Sequence, residues 1–195
     1  MKWNVVLTVV ALLANLQAWP APVLRVATNS SGTALLRNGT FEELHGSRPT
    51  EWHRFDRGFQ RAPGAGRHGS TAVLCENETE VSASGASQTL VLSRTNATPL
   101  VVRGWSRADG VTGGTDSGYS LYVDLTYEGG TSLWGQTADF RCGTHDWELR
   151  EFVILPEKPV KLITLHCLFR GHAGMAWFDD VSLDELRAAN GAVWF

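Results

Sequence analysis

From residue 88 to residue 183 the chain keeps returning to one pattern. Apolar and polar residues alternate, and clusters of glycine, serine, threonine or asparagine break the runs. Tyr119–Tyr127 shows it most cleanly, with Leu121, Val123 and Leu125 alternating with Tyr122, Asp124 and Thr126. Successive side chains of a strand leave opposite faces, so this spacing builds one buried and one wet face. Similar stretches lie at 88–92, 100–106, 148–154, 161–169 and 175–183, with shorter ones at 51–55 and 70–75. Tyr127-Glu-Gly-Gly-Thr-Ser132 is a hairpin signal. No long stretch keeps a helical period and no internal repeat occurs. About seven to nine strands predict an all-β domain, a β-sandwich or jelly roll.

One strand carries a charge where it costs most. In Met175-Ala-Trp-Phe-Asp-Asp-Val-Ser-Leu183, Trp177, Val181 and Leu183 fall on one face at period two, and Asp179 falls with them. A carboxylate on an apolar face needs compensation, from an arginine or lysine or from a metal ion. Calcium collects several oxygen ligands and would accept it. A second carboxylate stands near the start of the domain, in Asn38-Gly-Thr-Phe-Glu-Glu43. The expectation is a domain whose first and last strands meet, joined by an ion.

The 195 residues carry a formal charge of −3, which gives no cationic field for nucleic acid or anionic membranes. Residues 1–18 pair a lone Lys2 with a short apolar run and read as a signal peptide cleaved after Ala18. Residues 19–33 read as an extension, 34–184 as the domain, and 185–195 as a tail starting with a helical turn from Asp184. No second apolar run occurs, so the expectation is a secreted, extracellular protein without membrane insertion. Asn-x-Ser/Thr sequons at Asn29, Asn38, Asn77 and Asn96 fit export, with Asn38 enclosed by its motif and Asn96 close to Pro99. The cysteines are Cys75, Cys142 and Cys167; an exported chain can form one disulfide and keep one thiol, and sequence does not choose the pair.

Gly64-Ala-Gly-Arg-His-Gly69 matches the GxGxxG pattern, but Ser70-Thr-Ala-Val-Leu-Cys75 after it reads as a strand, where a dinucleotide site needs a helix. Arg54, Arg57, Arg61 and Arg67 in the same region read as a solvated loop rather than a site for an acidic glycan. The carboxylates Glu42, Glu43, Asp124, Glu148, Asp179 and Asp180 show no glycosidase spacing. Nucleophile elbow, HExxH and P-loop motifs are missing from the sequence. The expectation is a non-enzyme.

Asn38-Gly-Thr-Phe-Glu42, Trp52, His68-Gly-Ser70, Gln88-Thr-Leu90, Val102-Arg-Gly-Trp-Ser106, Gly143-Thr-His-Asp-Trp147 and Trp177-Phe-Asp-Asp-Val-Ser-Leu183 occur in that order. Together, over about residues 35–184, they resemble carbohydrate-binding modules of the family 4/9/22 type, in the galactose-binding-like superfamily. The resemblance implies a jelly-roll β-sandwich with a structural calcium near the chain ends. It implies Glu42 and Asp179 as side-chain ligands, joined by the carbonyl of Thr40 and one from the 67–70 turn, at His68. The family often binds sugar on a concave sheet face, through aromatic faces and polar groups.

Alternation sorts the candidates for that face. Tyr122, Asp124, Arg103, Trp105 and His166 turn away from the expected core, with Trp134 and Gln136 edging them. In the competing phase Trp105 lies in the core and Arg103 pairs with Asp124 across strands. The function expected is a secreted, non-catalytic module for a poly- or oligosaccharide. The alternative is an adhesion or structural domain of the same fold with a protein partner.

Overall fold

The computed structural model describes residues 33–186. The expected leader, the Asn29 sequon and residues 187–195 lie outside the described residues. The strands are β1 (Thr33–Ala34), β2 (Leu44–His45), β3 (Arg48–Pro49), β4 (His53–Asp56), β5 (Gln60–Ala62), β6 (Ala72–Asn77) and β7 (Ala83–Val91). They continue with β8 (Leu100–Val111), β9 (Tyr119–Tyr127), β10 (Ser132–Asp139), β11 (Gly143–Ile154), β12 (Val160–Arg170) and β13 (Gly174–Glu185). One sheet runs β11-β8-β13-β6-β5 with β1 added beside β13, and the facing sheet runs β10-β9-β12-β7-β4. The pairings are antiparallel. The chain folds as an all-β jelly-roll sandwich.

The alternation read from sequence decides the inward faces. Leu121, Val123 and Leu125 of β9 and Ile163, Leu165, Cys167 and Phe169 of β12 are fully buried. From the other sheet come Leu100, Val102 and Ala108 of β8, with Val73 and Cys75 of β6. Tyr119 reaches across the core, its hydroxyl 2.6 Å from Ser106 Oγ, while Ser106 donates to the Trp177 carbonyl at 2.7 Å. The structure adds β5 within 56–67, a stretch that reads as loop in the sequence. It also keeps 184–185 in β13, where a helical turn is the sequence expectation. No helix of the described residues is long and apolar enough to cross a membrane.

β13 brings the ends of the domain together. β8 lies along one side of it. On its other side β6 pairs with Gly174 to Phe178 and β1 with Asp184 and Glu185. The gap between β6 and β1 is filled by the entering chain: Leu35 N–H donates to Leu183 O at 2.9 Å, and Val181 N–H to Gly39 O at 2.9 Å. A Cβ on Gly39 would stand 1.7 Å from Val181 O, so only glycine permits this approach. Phe41 follows with φ 58° and buries its ring against Trp52, 4.8 Å between centroids. Trp52 Nε1 donates to Asn38 O at 2.9 Å.

Two expectations change here. Trp177 does not share a face with Val181 and Leu183. The register against β8 shifts between Asp179 and Ser182, and Asp180 has φ 48°. This β-bulge inserts one residue and reverses the phase, so Phe178 is the core residue before it and Val181 after it. The cysteines are all thiols. Cys75 and Cys167 point into the core from opposite sheets, and burial pushes the Cys75 thiol up to about 12 and Cys167 well above its ordinary range.

Two sequons are also structural. Asn38 Nδ2 donates to Glu43 O at 2.9 Å and Thr50 O at 3.0 Å, so a glycan there would remove one of the two bonds. Asn77 is buried and donates to Phe169 O at 3.1 Å and His172 O at 3.0 Å. Asn96 is exposed.

Gly39→Ala should lower stability by about 2 kcal/mol or more, because its methyl group meets backbone rather than a yielding side chain. The check is the midpoint of denaturant unfolding, which should fall with an unchanged slope.

Candidate functional site

The outward face of the β10-β9-β12-β7-β4 sheet gathers an aromatic row. Tyr122 on β9 lies opposite His166 on β12, which lies opposite Ser87 on β7. The His166 ring stands edge-on to both Tyr122 (5.9 Å) and Phe55 of β4 (5.2 Å). The guanidinium of Arg170, at the end of β12, sits 5.4 Å over the Tyr122 ring. Asp124 is one outward position further along β9. It accepts a hydrogen bond from Gly135 N–H at 2.8 Å. Gly135 takes φ 69° in an irregular stretch of β10 between Leu133 and Gln136, and this stretch leaves Trp134 64% exposed at the rim. Thr89 and Thr164 hydroxyls, 3.0 Å apart, complete the next cross-strand row.

The electrostatics follow from partial burial. Desolvation lowers the His166 pKa, with Asp124 opposing and Arg170 assisting, so the ring is neutral at pH 7. Its Nδ1 is buried without a hydrogen-bond partner among the described residues. Burial and then the Asp124 carboxylate raise the Tyr122 pKa, which keeps the phenol protonated. The face thus offers flat rings at Tyr122 and Trp134, acceptors at Asp124 and the threonines, and a donor at Arg170. These are the groups a polyhydroxylated ligand requires.

Arg103 and Trp105 are not part of it. Both point outward as alternation predicts, but β8 belongs to the other sheet, so they stand on the opposite side of the sandwich. Arg103 is ion-paired with Glu151 and lies 3.8 Å from Asp184. Trp105 is covered by the Arg67 guanidinium, 3.7 Å from its ring centroid. The expected single face is therefore split into two, and the competing Arg103–Asp124 pair does not form. Gln136 sits at the rim, its Nε2 donating to Trp134 O at 3.2 Å. Sequence reasoning misses Phe55 and Arg170. Their alternation is visible, but nothing local says that β4 and the end of β12 border Tyr122.

The four loop arginines separate. Arg54 bonds the Arg57 carbonyl, Arg57 reaches Ser82 Oγ at 3.2 Å, Arg61 reaches Thr71 Oγ1 at 3.3 Å, and Arg67 pairs with Asp180.

Glu42 and Asp179 converge on one turn. Glu42 accepts from Thr71 N–H at 2.5 Å and Thr71 Oγ1 at 2.8 Å, and the backbone bond is the main reason its pKa is lowered. Asp179, fully buried, accepts from Arg67 N–H (2.8 Å) and Ser70 Oγ (2.7 Å) at one oxygen and from Asp180 N–H (2.7 Å) at the other. Burial still raises its pKa. Ser70 Oγ also lies 2.5 Å from the Arg67 carbonyl. One hydroxyl proton cannot serve both neighbours, so three oxygens crowd together with a single proton between them. Thr40 precedes Phe41, and His68, at φ 54°, forms the centre of the turn. No group of three or more His, Cys, Asp or Glu side chains among the described residues is arranged to hold a metal. An ion here would rest on two carboxylates plus hydroxyl and carbonyl oxygens, a donor set that suits calcium rather than a transition metal.

The sandwich and its topology are those of the jelly-roll carbohydrate-binding modules. The xylan-binding CBM22-1 domain of Paenibacillus barcinonensis Xyn10C superimposes with a TM-score of 0.58 at 15% identity, covering 82% of this chain and 99% of that one. TmCBM61, solved in complex with β-1,4-galactotriose, superimposes with a TM-score of 0.50 at 17% identity, covering 77% of this chain and 97% of that one. At these identities the likeness is one of fold. In sequence, the chain is 36% identical over 103 residues to the tRNA nuclease WapA of Bacillus subtilis. That match covers 50% of this chain and 4% of the relative, so the chain spans a small part of the curated protein it matches. No protein-family model matches the chain.

His166 should titrate below the ordinary histidine range, because burial disfavours its charged form. Its folded pKa lies below its unfolded one. The unfolded chain therefore takes the proton first, and this residue costs stability as pH falls from about 6.5 through the folded value. An imidazole chemical-shift titration of the folded protein checks the midpoint.

Proposed function

We propose that this chain is a non-catalytic carbohydrate-binding module, exported from the cell, that holds a poly- or oligosaccharide on the Tyr122 face. The observation that carries the reading is the exposed sheet face where Tyr122, His166 and Phe55 form an aromatic row beside Asp124 and Arg170. It is supported by the fold shared with a xylan-binding domain and with a module solved with galactotriose. Glycoside hydrolysis needs two carboxylates across a cleft. Asp124 is on this face, whereas Glu42 and Asp179 are committed to the 67–71 turn beside the other sheet. Glu148 is occupied by Arg141, His145 and Arg150.

Tyr122→Ala should weaken binding to xylo- or galacto-oligosaccharides by about 2 kcal/mol, roughly thirty-fold, without changing the melting curve. Isothermal titration measures it. Full affinity in this variant would move the site elsewhere.

The same reading includes a structural calcium ion held by Glu42, Asp179 and oxygens of Thr40 and the 67–70 turn. Its support is the crowding of the Arg67 carbonyl, Ser70 Oγ and the buried Asp179 carboxylate, which a cation would relieve. Such an ion would tie the entering chain to β13 and stabilise the fold by mass action. Millimolar calcium should raise the melting temperature of the chelator-treated protein, and Asp179→Ala should abolish the rise. Melting curves that overlay with calcium and with chelator would rule the ion out.

A further inference from the structure

The face of the β11-β8-β13-β6-β5 sheet, on the other side of the sandwich from Tyr122, carries a second constellation. Arg107 on β8 lies opposite Trp177 on β13, and its guanidinium carbon is 4.4 Å from the centre of the Trp177 ring. On the other flank Trp147 stands 5.6 Å from the same carbon, raised by the register shift of β11 between His145 and Glu148. A planar guanidinium between two indoles is fixed in orientation, and its fork is preorganised for two parallel hydrogen bonds to an oxyanion.

No oxyanion of the described residues takes that fork. Arg103 and Arg67 beside the same face are both ion-paired, to Glu151 and Asp180. The Arg107 guanidinium makes no ion pair or hydrogen bond among the described residues, and its Nε is buried without a partner. It opens onto a groove of about 390 Å³ whose other polar walls include Asp109, Thr144 and Asp146. Asp109 is bonded to Thr144 Oγ1 at 3.2 Å and Asp146 to Trp147 N–H at 2.7 Å, each through one carboxylate oxygen. The remaining oxygens are left to accept hydroxyl protons.

We infer that this groove is a second binding site, specific for a uronate-bearing glycan. The sugar carboxylate takes the Arg107 fork between Trp147 and Trp177, and its hydroxyls donate to Asp109 and Asp146. Charge selects the ligand class. A single carboxylate surrounded by hydroxyls matches one cation flanked by two acceptors. A densely sulfated chain or an acidic peptide brings further negative charge against the two aspartates and lacks the hydroxyl donors in that arrangement.

The test titrates the full protein separately with a xylotriose bearing one glucuronate, with neutral β-1,4-galactotriose, and with neocarrabiose 4-sulfate, a sulfated disaccharide that carries no carboxylate. Indole N–H resonances and calorimetry are the readouts. The glucuronate-bearing xylotriose is expected to shift the Trp147 and Trp177 indole signals, whether or not galactotriose binds on the Tyr122 face, so the two sites are judged separately. Arg107→Gln should weaken the glucuronate-bearing xylotriose by at least about ten-fold, and Arg107→Lys, which keeps the charge without the fork, by several-fold. The indole shifts in the unsubstituted protein decide the matter even if a variant misfolds. Unmoved indoles, an affinity unchanged in a folded Arg107→Gln variant, equal shifts with galactotriose, or tighter binding of the sulfated disaccharide would each overturn the assignment.

Discussion

The bulge in β13 is the constraint on which the rest of the structure depends. By inserting one residue at Asp180 it lets Phe178 and Val181 both enter the core, although an uninterrupted strand would send them to opposite faces. The same irregularity presents Asp179 to the 67–70 turn, which closes over it with two hydrogen bonds. Gly39 packs its backbone against Val181 just beyond. The beginning of the domain, the 67–70 turn and the last strand are thus locked at one place. The buried carboxylate is the costly member of this junction, satisfied by donors but paired with no cationic side chain among the described residues.

Either side of that junction the two sheets expose surfaces of different character. On one, Tyr122, His166 and Phe55 form an aromatic row in which the charged groups stand at the margins. On the other, arginines lie on tryptophans: Arg67 over Trp105, and Arg107 between Trp147 and Trp177. The first surface is built for neutral ring stacking with hydroxyl acceptors nearby. The second is cationic wherever an acid does not neutralise it, and Arg107 is a position where no acid of the described residues does. A sandwich permits this division because each sheet buries one face and leaves the other independent of its partner.

The sheet face of nearly every candidate residue is legible in the alternation. Tyr122, Asp124 and His166 turn outward as their spacing says, and so do Arg103 and Trp105. What alternation lacks is any statement of which sheet a strand joins. That is why it groups Arg103 and Trp105 with Tyr122, when β8 and β9 belong to opposite layers. The misplacement of Trp177 has a different cause. A period of two is read correctly only while the strand is regular, and a bulge leaves no compositional mark beyond the ordinary pair Asp179-Asp180.

By itself, the sequence determined the all-β class, the inward faces of β8, β9 and β12, and the meeting of the Asn38–Gly39 segment with the last strand. These depend on local spacing, and burial enforces local spacing strand by strand. Only the tertiary structure decided that Phe55 and Arg170 border Tyr122, that the cysteines remain separate thiols, and that no acid of the described residues pairs with Arg107 while Arg67 and Arg103 are paired. Those outcomes depend on which strands become neighbours across long separations in the chain. That choice minimises the free energy of the whole sandwich and is written in no single stretch of it.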